Sequence, residues 1–232
     1  MSKQSSREGL LEREEEIFRI LNMLIQHKMN FIVVGGYAVS TYKKRFSVDL
    51  DVIIKEKDTR EFETLLEKEG YVFHYEKNIS LVYGENFKRY LRSMKNLPVY
   101  IDFLINGLVS RTTNAVWSFE HVKENSVTRT LNGLQFLTPK RELLIAMKLH
   151  SGRLSDVRDI VALMPCDIKE LKKHLIQGDI SRLMISIKKQ ATFLGKLQFD
   201  DSFKGIFGIQ AYKEEEVEQA RVMMEELMNQ KK

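Results

Sequence analysis

The sequence predicts an α+β fold: a mixed β-sheet flanked by helices, followed by a helical C-terminal part. Three observations carry this. Short apolar, β-branched runs at residues 31–34, 48–54 and 98–105 read as buried strands. Stretches with apolar residues at helical spacing are interleaved with them up to about residue 137. Beyond Thr138-Pro139 only helical patterns follow. The expected division is an α/β part over 1–137 and a helical part over 138–232.

Residues 10–29 form the first expected helix. Leu10, Ile17, Leu21, Leu24 and Ile25 share a face, Glu12 to Glu16 are expected near the positive N-terminal end, and Asn30 is the stop. The strand Phe31-Ile32-Val33-Val34 runs into Gly35-Gly36, read as a glycine turn. Tyr37 to Tyr42 reads as a short helix and Val48 to Ile54 as a second strand. Asp58-Thr59 is expected to cap a helix over 60–69 that Gly70 ends. Residues 71–75 and 79–83 read as strands able to form a hairpin, and 86–95 fits helix or strand. The stretch 98–105 (PVYIDFLI) is a strand. Residues 126–131 and 134–137 form a hairpin around Asn132-Gly133. Thr138 is expected to cap a helix with Pro139 in its first position. Helices are then expected at about 140–150, 154–163, 167–176, 179–193 and 212–230.

Composition narrows the function classes. A chain of 232 residues with 43% hydrophobic and 30% charged residues, 12 Gly and 3 Pro is neither disordered nor fibrous. No apolar run approaches the roughly 18–20 residues of a membrane helix. The first residues, MSKQSSREGLLEREEE, hold no apolar core of a secretory signal, so none is expected. A single cysteine, Cys166, excludes an internal disulfide and a multi-thiolate zinc site. A reducing, cytoplasmic location fits. The net charge of +5 tolerates an anionic partner without requiring one.

The chemistry concentrates in FIVVGGYAVSTYKKRFSVDLDVII, residues 31–54. Residues i and i+2 on a strand share a face, so Asp49 and Asp51 project together while Leu50 and Val52 turn to the core. Two carboxylates on one face repel unless a cation lies between them. Magnesium prefers such hard oxygen ligands and keeps substrate phosphates in its shell. Glycines after a strand let a triphosphate approach backbone N–H groups. Asp102 is one carboxylate inside the apolar strand VYIDFLI, costly if buried alone. It is better explained beside the Asp49/Asp51 strand, all three sharing metals. Two metals about 3.5–4 Å apart can stabilise both oxygens of an in-line phosphoryl displacement. Asp102 could alternatively take the proton of an attacking hydroxyl.

Gly35-Gly36, then Ser47-Val48-Asp49-Leu50-Asp51, then Asp102, resemble the DNA polymerase β-like nucleotidyltransferase superfamily. Gly35-Gly36-Tyr37-Ala38-Val39, Arg45, Ser47 and Asp49-Leu50-Asp51 look most like its AbiEii-type and related minimal nucleotidyltransferases. The resemblance covers residues 31–105 and resumes over Lys148 to Leu163. It implies Mg2+, with Mn2+ as a substitute, on Asp49, Asp51 and Asp102. It implies a nucleoside triphosphate held by Gly35, Gly36, Arg45, Ser47, Lys148 and Arg153, with Asp156 and Asp159 nearby. The implied reaction moves a nucleoside monophosphate to a hydroxyl of RNA (tRNA included), a protein or a small molecule, with pyrophosphate released. A toxin role with a helical antitoxin-like partner is within the group's range. The alternative is a nucleotide-binding or protein-interaction module without catalysis.

Other residues read as ordinary structure. The five histidines show no i, i+4 pairing. Trp117, Phe119 and Met147, Met164, Met184, Met223 and Met224 are expected to pack, and Cys166 to be inert. Lys43-Lys44-Arg45 and Lys88, Arg89, Arg92 and Lys95 read as solvated faces or as guides for RNA or a triphosphate, and for the second cluster the solvated face is expected.

Overall fold

The computed structural model describes residues 3–74, 86–94, 97–195 and 212–229, with side chains from residue 8 onward. The chain divides into two compact units. The first comprises Met1–Thr41, Phe46–Leu108 and Trp117–Pro139, and the second Tyr42–Arg45, Val109–Val116 and Lys140–Lys232.

The first unit is built on a five-stranded mixed sheet. Its strands are β1 (Phe31–Val34), β2 (Asp49–Ile54), β3 (Val72–Phe73), β4 (Phe87–Arg92) and β5 (Val99–Ile105), in the order β1-β2-β5-β4-β3. β2 and β5 pair in parallel and the remaining neighbours are antiparallel. Helices α1 (Lys3–Gln26) and α3 (Thr59–Lys68) supply Ile17, Ile20, Leu21, Leu24, Phe62 and Leu66 to one core. Leu50, Val52 and Ile54 of β2 and Ile101 and Phe103 of β5 belong to the same core. Strand alternation therefore sends the odd-numbered residues of β2 to the opposite face. The short helix α2 (Gly35–Ser40) follows β1 directly.

Several expectations are corrected here. Helix α1 begins at Lys3, so Glu12 to Glu16 lie in its body and its first turn holds no acidic residue. Glu16 is instead buried, where its carboxylate accepts hydrogen bonds from Arg19, Arg92 and the Tyr71 hydroxyl. Burial opposes its charge, and these donors outweigh burial and hold its pKa below the usual value. Asp58 makes no side-chain cap; a 3-10 turn, Glu56–Asp58, leads into α3 instead. Val72 and Phe73 pair with Leu91 and Tyr90 of β4; residues 79–83, read as a strand able to form a hairpin with 71–75, lie outside the described residues. The ambiguous stretch at 86–95 is the strand β4. Thr138 and Pro139 do not open a helix. They end a strand, because the hairpin runs two residues further than its apolar pattern suggested.

That hairpin joins β8 (Ser126–Leu131) to β9 (Leu134–Pro139). Asn132 and Gly133 both have positive φ, 50° and 78°, as a two-residue hairpin turn requires. It is preceded by a two-stranded ribbon, β6 (Gly107–Val109) and β7 (Val116–Ser118), and a short helix, α4 (Phe119–Glu124). Trp117 and Phe119 are buried, as expected of packing residues.

The second unit is helical: α5 (Arg141–Ser151), α6 (Val157–Ala162), α7 (Ile168–His174), α8 (Ile180–Leu194) and α9 (Glu214–Met228). Asp167 and Asp179 cap α7 and α8 through their carboxylates, which accept from backbone N–H groups at 2.8–3.2 Å. Gly152 ends α5 at φ +67°, and a Cβ there would meet the Ser186 hydroxyl at 2.8 Å. The core joins Leu143, Leu149, Ile160, Leu171, Ile187 and Met224. Among the described residues no helix is long and apolar enough to cross a membrane.

Candidate active site

The face of β2 opposite the core of α1 and α3 carries Asp49 and Asp51, both partly exposed. Asp51 sits opposite Asp102 in the parallel register with β5, and Asp102 sits opposite Arg89 in the antiparallel register with β4. Directly paired residues point to the same side of a sheet. Asp51, Asp102 and Arg89 therefore form a row across three adjacent strands. Asp49, Asp51 and Asp102 each offer an oxygen, and these oxygens lie within 4.8 Å of one another. Three hard oxygen donors at that spacing fit a divalent ion of the magnesium or manganese type.

Gly35 is required by this arrangement. Its φ is +64°, and a Cβ on it would lie 1.9 Å from an Asp51 carboxylate oxygen. The glycine that opens α2 is thus explained by the carboxylate packed against it. Gly36, the next residue, is buried. Ser47 donates its hydroxyl to Asp49 at 3.3 Å.

Arg89 is the residue sequence reasoning missed. It belongs to no solvated face: its side chain is 15% exposed. Its Nε and Nη2 donate to the two oxygens of Asp102 at 2.7 and 2.5 Å, and Nη2 lies 3.5 Å from Asp49. The guanidinium stands 4.8 Å from the centre of the Tyr100 ring. The available signal was strand alternation: Arg89 follows Phe87 and precedes Leu91 in a period-2 pattern. Its partner could be named only from the register. Burial pushes the Asp102 carboxyl up to about 6 against the pull of Arg89, and the charge of Asp49 adds to the rise.

The remaining residues singled out from the sequence come together in the second unit. The Lys148 ammonium is buried between Asp156 at 3.0 Å and Asp159 at 2.7 Å. Arg153 donates to Asp156 at 2.9 Å, Arg45 pairs with Asp159, and the Ser151 hydroxyl bonds Asp156. Burial disfavours the Lys148 charge, yet the two carboxylates hold its pKa above the ordinary lysine value. For Asp156 burial works upward, and Lys148 and Arg153 overcome it and hold the carboxyl far below its usual range. A solvated lysine on a helix surface is therefore not what this chain has. His150 is buried nearby in sequence, with Nδ1 2.7 Å from the Thr113 hydroxyl, and burial lowers its pKa to about 4. Burial pushes the Cys166 thiol up to about 11, which suits an unreactive cysteine.

No curated protein matches the sequence. Among solved structures, the solution structure of the antibiotic-resistance factor ANT(2'')-Ia is 15% identical, with TM-score 0.40 over 90% of this chain and 89% of that one. The crystal structure of ANT(2'')-Ia with adenylyl-2''-tobramycin is also 15% identical, with TM-score 0.40 over 91% and 96%. An antigenic nucleotidyltransferase-like protein from Paracoccidioides brasiliensis is 12% identical, with TM-score 0.45 over 84% and 93%. Likeness at this level bears on neither substrate nor mechanism. The family described as "Nucleotidyltransferase of unknown function (DUF6036)" matches residues 11–194, most of the chain, and the chain belongs to this nucleotidyltransferase family.

Proposed function

We propose that this chain transfers a nucleoside monophosphate from a nucleoside triphosphate to an acceptor hydroxyl and releases pyrophosphate, using magnesium, for which manganese can substitute. The observation that carries this is the convergence of Asp49, Asp51 and Asp102 within 4.8 Å beside the Gly35 turn. Asp49 and Asp51 would hold the metal, with Asp102 as third ligand. Such an ion supplies charge neutralisation at the phosphates. Asp102 suits a ligand better than a general base, since both its oxygens already accept from Arg89.

Gly35 and Gly36, through their backbone, and Ser47 are the proposed nucleotide contacts in the first unit. Arg45, Lys148 and Arg153 are the proposed contacts from the second. For these three, phosphate must displace Asp156 or Asp159, and Arg153, with its side chain 55% exposed, does so at least cost. The acceptor is a hydroxyl of RNA, a protein or a small molecule. A cytoplasmic AbiEii-like toxin acting on tRNA, restrained by a helical antitoxin, is one form this takes.

One observation favours a second reading. Arg89 already supplies Asp102 with a cation, which suits a module that binds nucleotide without catalysis. A thermal-shift titration with ATP, GTP, CTP and UTP, with and without magnesium, separates the two when paired with pyrophosphate release. Metal-dependent stabilisation by one triphosphate, lost in Asp49→Ala/Asp51→Ala, together with pyrophosphate release, supports transfer. Stabilisation without release on any RNA or protein acceptor supports the binding module. No stabilisation by any triphosphate sinks both.

A further inference from the structure

A two-cation centre needs two positive groups near the reacting phosphates, and here one is covalently part of the chain. Arg89 forms a two-pronged pair with Asp102 at 2.7 and 2.5 Å and reaches Asp49 at 3.5 Å. Its position is fixed three ways: by the β4–β5 register, by the ring of Tyr100 at 4.8 Å and by its 15% exposure. Displacing it would leave Asp102, 1% exposed, without its cation. A second divalent ion would have to enter against a fixed positive charge within hydrogen-bond reach of two of its three ligands.

Resting on the nucleotidyltransferase reading above, we propose that Arg89 is the resident second cation of this centre, so that the chain takes a single divalent ion on Asp49 and Asp51, with Asp102 as third ligand. Arg89 is then a positioning residue: it holds Asp102 in place and excludes the second metal. A purely structural arginine would leave metal stoichiometry untouched.

The test is direct counting of Mn2+ on the full chain by electron paramagnetic resonance. The wild type should bind one Mn2+, and Asp49→Asn should bind none. Arg89→Met, which keeps bulk and removes charge, should bind two. Arg89→Lys should return the count to one, and Arg89→Gln, also neutral and expected to bind two, serves if Arg89→Met does not fold. Two ions on the folded wild type, or an unchanged single ion on folded Arg89→Met, overturns the role of Arg89 and leaves the metal-dependent transferase intact. No Mn2+ on the wild type overturns this proposal together with the metal site on which it stands.

Discussion

In the first unit three carboxylates face one guanidinium across neighbouring strands. In the second, Asp156 and Asp159 face Lys148, Arg45 and Arg153. Both clusters are anchored by charges less than about a tenth exposed. Their balance differs. The second cluster contains enough cations to compensate its own carboxylates, and a buried ion pair that is fully partnered asks for nothing from outside. In the first, three carboxylates converge within 4.8 Å on residues held together by rigid strands. Strands cannot relax like-charge crowding by moving apart, so this convergence is a standing demand for a cation. Crowded carboxylates on a rigid element, rather than buried charge as such, mark the site.

Removing one charge should have opposite consequences in the two clusters. Asp49→Asn or Asp51→Asn should cut transfer by roughly 10³-fold or more, the scale on which charge-stabilising groups act. The melting temperature should hold or rise, because repulsion is relieved. Retained activity in Asp51→Asn would refute the assignment. Lys148→Met should destabilise the fold by about 3 kcal/mol, because it removes the cation shared by two buried carboxylates and leaves Asp156 to Arg153 and Asp159 to Arg45. Urea denaturation measures this, and a loss below about 1 kcal/mol would place Lys148 outside the structural network.

The second unit also carries a pH test. His150 is buried, with its pKa lowered to about 4 from the ordinary 6.5. The unfolded chain then binds the proton that the folded chain refuses. The stability from keeping His150 neutral is complete above about pH 6.5 and is lost as the pH falls toward 4. The loss is on the order of 3 kcal/mol. His150→Gln should flatten melting temperature against pH over that window, and an unchanged slope would remove His150 as the cause. The smallest effect belongs to Arg153, whose side chain is 55% exposed. Arg153→Ala should cost less than about 1 kcal/mol. If it nonetheless weakens triphosphate binding in the thermal-shift titration, Arg153 contacts the nucleotide.

Much of this was legible from local pattern. Period-2 alternation in VDLDVII put Asp49 and Asp51 on one face, and Asn132-Gly133 announced its hairpin. The failures have one physical character. Glu12 to Glu16 read as a helix end because the apolar spacing starts at Leu10, whereas the helix runs from Lys3. Thr138-Pro139 has the chemistry of a helix start, yet pairing of Ser126 with Pro139 keeps both residues in a strand. Arg89 sits among Lys88 and Arg92 in what reads as a basic surface. Along the chain only its alternation with Phe87 and Leu91 distinguishes it from its neighbours, and that does not name its partner.

The sequence by itself determined the elements, the shared face of Asp49 and Asp51 and the apolar setting of Asp102. These follow from backbone periodicity and side-chain polarity, which are local. Tertiary structure alone decided that Asp102 stands beside Asp51, that Arg89 pairs with Asp102 and that Gly35 makes room for Asp51. It also decided that Lys148 is enclosed by Asp156 and Asp159. Each of these depends on strand register or helix packing between residues distant along the chain, and a register shift of one residue would turn Arg89 to the opposite face.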